Sequence, residues 1–360
     1  MKARSLFDYF STGNVNYEDV FSYASEVRRQ LDNEKSPMHK AAKEIDDQIR
    51  GKYGGYDGTI SPENYSLLRR YIRHIAREMI LNAEDQIKSG NDPSLNDYLS
   101  KYGSIISMLS SGGLDIFTLN HDNLLEEIFS RQEIAFEDGF QRLPRQDICT
   151  WDLNFFKGDT KVRLFKLHGG SDWLRLYQSV PDSPGVGELV PLFYDENGQP
   201  FMVVAGPQRS TDYYKVMNIR KVINEHRLSS KKYDIENADG MILVGKSDKF
   251  YSYAYPPYLH LLSMFAEELE KRDKIIVAGY GFGDDAINRN IDEWQSKAPT
   301  SRQVCYIGYS KGNEEKSCEE MSQSDAMIQA KLGRVQISKC SFAGMQSAHA
   351  SETIGEFLSI

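Results

Sequence analysis

Short apolar runs recur along the chain from residue 114 onward. They fall at 114–118 (LDIFT), 162–167 (VRLFKL), 241–244 (MILV), 275–278 (IIVA), 304–307 (VCYI) and 335–337 (VQI). Several lead into glycine and then into residues spaced as on a helix, as at 123–129. Brief buried runs that alternate with helices predict an α/β fold, with a mostly parallel sheet and helices on both faces. A single central parallel sheet is therefore the expected core of residues 112–360. Residues 177–232, rich in Gly, Pro and polar side chains, interrupt the pattern and read as an irregular lobe.

Residues 1–111 read instead as an N-terminal helical layer. Val20, Phe21, Ala24 and Val27 recur at helical spacing over 17–31. Ser61, Pro62 and Glu63 supply an N-cap, a proline for the first helical position and an early acid. Leu68, Ile72, Ile75 and Met79 form an apolar stripe behind them. Gly90 and Pro93 close that helix, and another follows over 94–109. Arg70, Arg73 and Arg77 read as a solvated face of the first of these helices.

Charge narrows the function. The 360 residues carry a formal charge of −9, which lacks the concentrated positive field of a general nucleic-acid binder. No run approaches the length of a membrane helix, and no cleavable signal opens the chain. Cys149, Cys305, Cys318 and Cys340 include no Cys-x-x-Cys pair. Neither a disulfide framework nor a zinc ribbon is expected, and the pattern fits a reducing cytoplasm. His121, Asp122 and His168 have no spacing that requires a metal, so none is expected.

In open parallel sheets, ligands bind beyond the carboxyl ends of the strands. Three segments place polar residues there. In Thr118-Leu119-Asn120-His121-Asp122, Asn120 or Asp122 is either the N-cap of the next helix or part of an amide–carboxylate pair facing a ligand. In Lys166-Leu167-His168-Gly169-Gly170-Ser171-Asp172-Trp173, His168 is either structural or a base. The two glycines would permit a sharp turn and a close ligand approach, and Trp173 reads as a core or rim aromatic. In Gly279-Tyr280-Gly281-Phe282-Gly283-Asp284-Asp285, alternate glycines resemble a dinucleotide loop. The two carboxylates at the following helix N-terminus would repel pyrophosphate, so these glycines fit a ribose or the nucleotide backbone better.

Taken together, the three segments resemble the sirtuin-like (silent information regulator) family, especially its bacterial defence-associated branch. That family has Thr-x-Asn-x-Asp after one strand, Lys-Leu-His-Gly-Ser after another and Gly-Tyr-Ser-Phe-x-Asp-x-His-Ile-Asn near the end. Here they stand as TLNHD at 118–122, KLHGGSDW at 166–173 and GYGFGDDAIN at 279–288, within a match over roughly residues 15 to 340.

The resemblance implies a Rossmann-like core and NAD as the substrate. Asn120 would orient the attacking water or ribose, Asp122 would hold the nicotinamide carboxamide, and His168 would act as general base. Thr118, Gly279, Tyr280, Gly281 and Asp284 would line the nucleotide site. The implied activity is cleavage of the nicotinamide–ribose bond, in an effector of antiphage defence acting as an oligomer or with a partner protein. The resemblance also leaves room for a catalytically weak nucleotide-binding subunit with an assembly or sensing role, or for an NAD-dependent deacylase.

Three departures bear on that expectation. The family's opening strand and Gly-Ala-Gly-x-Ser loop, on the order of 30 residues, have no counterpart here, since Gly13 is the only glycine before Gly51. Gly281 and Ala286 replace the usual Ser and His. The four zinc cysteines of the deacetylase branch are absent, which favours NAD hydrolysis over protein deacylation.

Overall fold

The computed structural model describes residues 31, 34–35, 39–40, 43, 62–89, 93–142, 148–178, 193–194, 200–202, 212–216, 240–245, 249, 252–254, 256–308, 335, 337–341 and 348–359. The helix expected over 17–31 lies outside them, apart from Leu31. No helix among the described residues is long and apolar enough to cross a membrane.

Two helices open the described chain, α1 (Pro62–Lys88) and α2 (Pro93–Ser110). Proline stands first in each, where its missing N–H costs nothing. The buried side of α1 carries Ile72, Ala76, Arg77, Leu81 and Glu84, while Met79 is exposed. Arg77 is thus buried and not part of a solvated face. The helix packs on an antiparallel sheet, and its buried stripe is rotated away from Met79.

Beyond α2 run β1 (Leu114–Thr118), α3 (Leu124–Arg131), β2 (Phe136–Glu137), β3 (Phe140–Arg142) and β4 (Ile148–Trp151). A 3₁₀ turn (Leu153–Phe156) then leads to β5 (Val162–Lys166) and β6 (Gly169–Gln178). The short strands β7 (Phe193–Tyr194), β8 (Pro200–Met202), β9 (Asp212–Val216) and β10 (Gly240–Ile242) follow. The chain closes with α4 (Tyr258–Glu270), β11 (Lys274–Ala278), α5 (Asp285–Lys297), β12 (Gln303–Ile307), β13 (Lys339–Ser341) and α6 (Ala348–Ser359).

The fold is mixed α/β, but among the described residues its strands form three sheets and not the single parallel sheet expected. Two are parallel and three-stranded, ordered β1-β5-β2 and β11-β12-β13. The third is antiparallel, ordered β3-β4-β9-β6-β8-β7 with β10 on β6. The correction has a local cause. After β5 the chain turns at His168 and runs straight into the ten-residue strand β6. β10, expected to be parallel, pairs with β6 antiparallel. The stretch expected to be irregular contributes β9, which lies between β4 and β6. The last strand sits at Lys339–Ser341, just past the apolar run at 335–337.

Alternation sets the faces of the parallel sheets. Val162 and Leu164 of β5 pack with Leu99 and Ile106 of α2 and Ile128 and Phe129 of α3. Phe165, on the opposite face, joins Phe265 of α4 in the largest core. In β12, Cys305 and Ile307 meet Ile105 of α2 and Ala350, Ile354 and Phe357 of α6. Val304 and Tyr306 face α4 and α5. Helix α2 therefore backs both parallel sheets through adjacent residues, Ile106 for one and Ile105 for the other.

Cys149 and Cys305 are buried thiols outside any disulfide, whereas Cys340 is disulfide-bonded. That bond was not expected, because four scattered cysteines gave no disulfide framework.

Candidate functional site

The predicted residues gather where β1, β5 and β11 end. Parallel pairing of β1 with β5 sets Thr118 opposite Lys166. Leu167 N–H then donates to Thr118 O at 2.9 Å, and Ser171 N–H donates to His121 O at 2.8 Å. The Asn120–Asp122 loop therefore lies against the His168 turn. The β11 loop reaches the same place through Asp284, whose Oδ2 is 2.9 Å from His168 Nε2.

His168 is buried, at 3% exposure. Its Nε2 also lies 2.7 Å from the Tyr253 hydroxyl, which donates to Asp284 Oδ2 at 3.2 Å. Asp284 has two tasks. Oδ1 caps α5 by accepting from Ala286 and Ile287 N–H, and Oδ2 faces the imidazole. Burial pushes this carboxyl up, but the His168 contact and the Ile287 N–H outweigh it, and it lies below the usual range. Burial, reinforced by Asp284, raises the Tyr253 phenol, so it remains a neutral hydroxyl.

The other predicted residues divide by what they touch. Asn120 is exposed, and its side-chain amide has no hydrogen-bond partner among the described residues. Asp122 Oδ1 accepts from Leu124 N–H at 3.1 Å, but the N-cap of α3 is Asn123, and neither Asn120 nor Asp122 as the N-cap reading had it. Thr118 Oγ1 accepts from Asn120 N–H and shapes the loop. Tyr280 OH lies 2.8 Å from Asn288 Oδ1 and accepts from Asp284 N–H, so it braces its own loop.

The glycines separate sharply. A Cβ on Gly169 would sit 1.8 Å from Met241 O, and one on Gly170 would meet the Trp173 ring at 2.8 Å. These two admit the chain's own strands, not a ligand as expected, and Trp173 is fully buried core. Among the described residues, Cβ atoms on Gly279, Gly281 and Gly283 would meet nothing within 4 Å. Only Gly279, at φ +62°, needs glycine for its backbone. Between the open positions Phe282 is held at φ +52°, an uncommon conformation for a bulky residue, with its ring buried in the core.

Beneath the β1 loop lies a buried ionic layer. Lys166 Nζ donates to Asp122 O at 2.7 Å and Asn123 Oδ1 at 2.6 Å, and pairs with Glu126 Oε1 at 2.6 Å. Lys215 pairs with Asp138 at 2.6 Å and lies 3.7 Å from Glu126. Glu84 accepts from Asn123 N–H and from the Ser171 hydroxyl. Burial raises Glu126, but the two lysines overcome it and hold the carboxyl below its usual range. Burial lifts Glu84 and Asp172 upward.

Sequence reasoning assigned no role to Tyr253, Glu84, Lys215 or Glu126. Lys166 alone left a signal. It continues the inward series Val162, Leu164, Lys166, and a lysine at such a position requires a buried carboxylate. Among the described residues, no group of three or more His, Cys, Asp or Glu side chains is placed to hold a metal ion. No protein-family model matches this chain, and no curated protein matches it.

Proposed function

We propose that the chain is a sirtuin-like, Rossmann-like enzyme that hydrolyses NAD at the nicotinamide–ribose bond. The carrying observation is the convergence of Asn120, the His168–Asp284 pair and the open Gly279–Gly283 loop at the ends of three parallel strands. In the proposed reaction the C1′–N bond breaks and its electron pair leaves with nicotinamide. Water, oriented by Asn120, bonds to C1′ as positive charge develops on the ribose. His168 takes the water proton, and the Asp284 carboxylate stabilises the imidazolium so formed. Asp122 holds the carboxamide. A role in antiphage defence, with an oligomer or partner protein, rests on the resemblance alone.

The test is nicotinamide release by the wild type, Asn120→Ala and His168→Ala. Loss of a positioned base lowers turnover about 100- to 10,000-fold. Asn120→Ala is the cleaner variant, because its exposed amide supports no packing. Release from both variants at the wild-type rate would remove these residues from catalysis.

One observation favours a second reading, a nucleotide-binding subunit with weak catalysis. His168 Nε2 is shared by Asp284 and Tyr253 in a buried setting. NAD binding without nicotinamide release by the wild type would select it.

A further inference from the structure

We propose that Tyr253 is a positioning residue, which together with Asp284 fixes His168 as the Nε2–H tautomer and so makes Nδ1 the nitrogen that accepts a proton. The inference rests on the NAD reading above for its kinetic consequence, whereas the tautomer can be read without NAD.

The chain around the His168 turn brings the tyrosine into place. Just past β10, Leu243 N–H donates to His168 O at 2.9 Å. A helical turn then returns the chain to that residue, with Tyr253 N–H donating to Lys249 O at 3.0 Å. The Tyr253 ring is buried in the largest core, 6.0 Å from the imidazole between centroids.

Three atoms close a triangle. His168 Nε2 lies 2.7 Å from the Tyr253 hydroxyl and 2.9 Å from Asp284 Oδ2, and the hydroxyl donates to Oδ2 at 3.2 Å. Counting protons decides its state. The Asp284 carboxyl lies below its usual range, so it is ionised and can only accept, and its Oδ1 is already engaged by the start of α5. The Tyr253 hydroxyl keeps its single proton. A lone pair on Nε2 would face the carboxylate at 2.9 Å, with one hydroxyl proton to serve both acceptors. With a proton on Nε2, every side of the triangle has a donor. The ring N–H points at Oδ2 and the phenol oxygen, and the hydroxyl donates to Oδ2. The hydrogen bond at one ring nitrogen sets the state of the other, so the lone pair belongs to Nδ1.

Tyr253 adds what Asp284 alone does not supply. A single contact at Nε2 would let the imidazole swing about it, and the hydroxyl gives the same nitrogen a second bearing. In the proposed reaction the water proton goes to Nδ1, while Nε2–H stays with Asp284.

Nitrogen NMR on histidine-labelled wild type at neutral pH tests the tautomer. The His168 signals are assigned by their loss in His168→Ala, and the two nitrogens are told apart by their couplings to the ring C–H protons. Nε2 should be protonated and Nδ1 bare. Tyr253→Phe then tests the positioning, since it keeps the ring in the core and removes one hydroxyl. Its kcat for nicotinamide release should fall about 10- to 100-fold, as for a lost hydrogen bond to a charged group. KM, calorimetric NAD affinity and melting temperature should stay near wild type. A protonated Nδ1 in the wild type, an undiminished kcat in Tyr253→Phe, or a loss confined to its melting temperature would overturn the inference alone. A wild type that neither binds NAD nor releases nicotinamide would overturn the NAD reading, and the nitrogen spectrum would still decide the tautomer by itself.

Discussion

Two loops meet at His168, and they are held in opposite ways. The loop after β1 rests on charge, with Lys166 and Glu84 buried beneath it and bonded to Asp122 and Asn123, and with Glu126 paired to Lys166. The loop after β11 holds itself, with Asn288 Nδ2 donating to Phe282 O at 2.9 Å, Tyr280 bracing Asp284 and Asp284 capping α5. The first loop leaves Asn120 projecting. The second leaves empty space at three glycines. Buried ions give fixed geometry at a desolvation cost, whereas local hydrogen bonds give geometry with room to spare. In the proposed enzyme the first loop would carry reacting groups and the second would accommodate bulk.

The largest effect should come from breaking the ionic layer. Lys166→Met leaves Glu126 buried beside Lys215 alone, at 3.7 Å. Breaking a buried pair by removing one partner costs about 3–5 kcal/mol. The urea midpoint should fall accordingly, and the Asp122 carbonyl should lose its tether. Lys166→Met combined with Glu126→Met removes both charges and should recover much of the loss. A single variant as stable as wild type would mean that the layer does not hold the loop.

A smaller loss is expected on the other side. Asp284→Ala removes the α5 cap, worth about 0.5–2 kcal/mol, together with the carboxylate beside His168. The folded carboxyl titrates below its usual range, so its contribution is present at neutral pH and lost as the pH falls through that range. Urea unfolding of both proteins at pH 7 and near pH 3 checks this. The gap should narrow in acid, and a gap independent of pH would argue against an ionised Asp284.

The parallel strands and the three site segments were legible because their signals are local. LDIFT matches β1, KIIVA contains the run that became β11, and polar residues follow each strand. The antiparallel sheet was not legible, since its ladder joins Trp173 to Lys215 and Gly240 to Leu174 across long sequence gaps. For the same reason Gly169 read as room for a ligand when its neighbour is Met241, which lies far away in sequence. Asp284 was expected to contact the nucleotide. Its partner His168 lies 116 residues earlier, and only folding could pair them.

The smallest effect on stability should come from Gly281→Ala, and it sharpens the contrast between the loops most. Gly281 is exposed, lacks the left-handed φ of Gly279, and would place a Cβ in open space. The fold therefore has no use for glycine there. Replacing glycine where the backbone already suits alanine typically stabilises by about 0.4–1 kcal/mol, through the unfolded chain. Melting temperature should hold or rise slightly. If the open space is the nucleotide's, the added methyl group obstructs it, and NAD affinity falls although the protein is no less stable. Calorimetric titration of NAD into Gly281→Ala, set beside its melting curve, separates the two quantities. Unchanged affinity would mean that the space beyond β11 is not where the nucleotide lies, and that the site draws on the β1 and β5 loops alone.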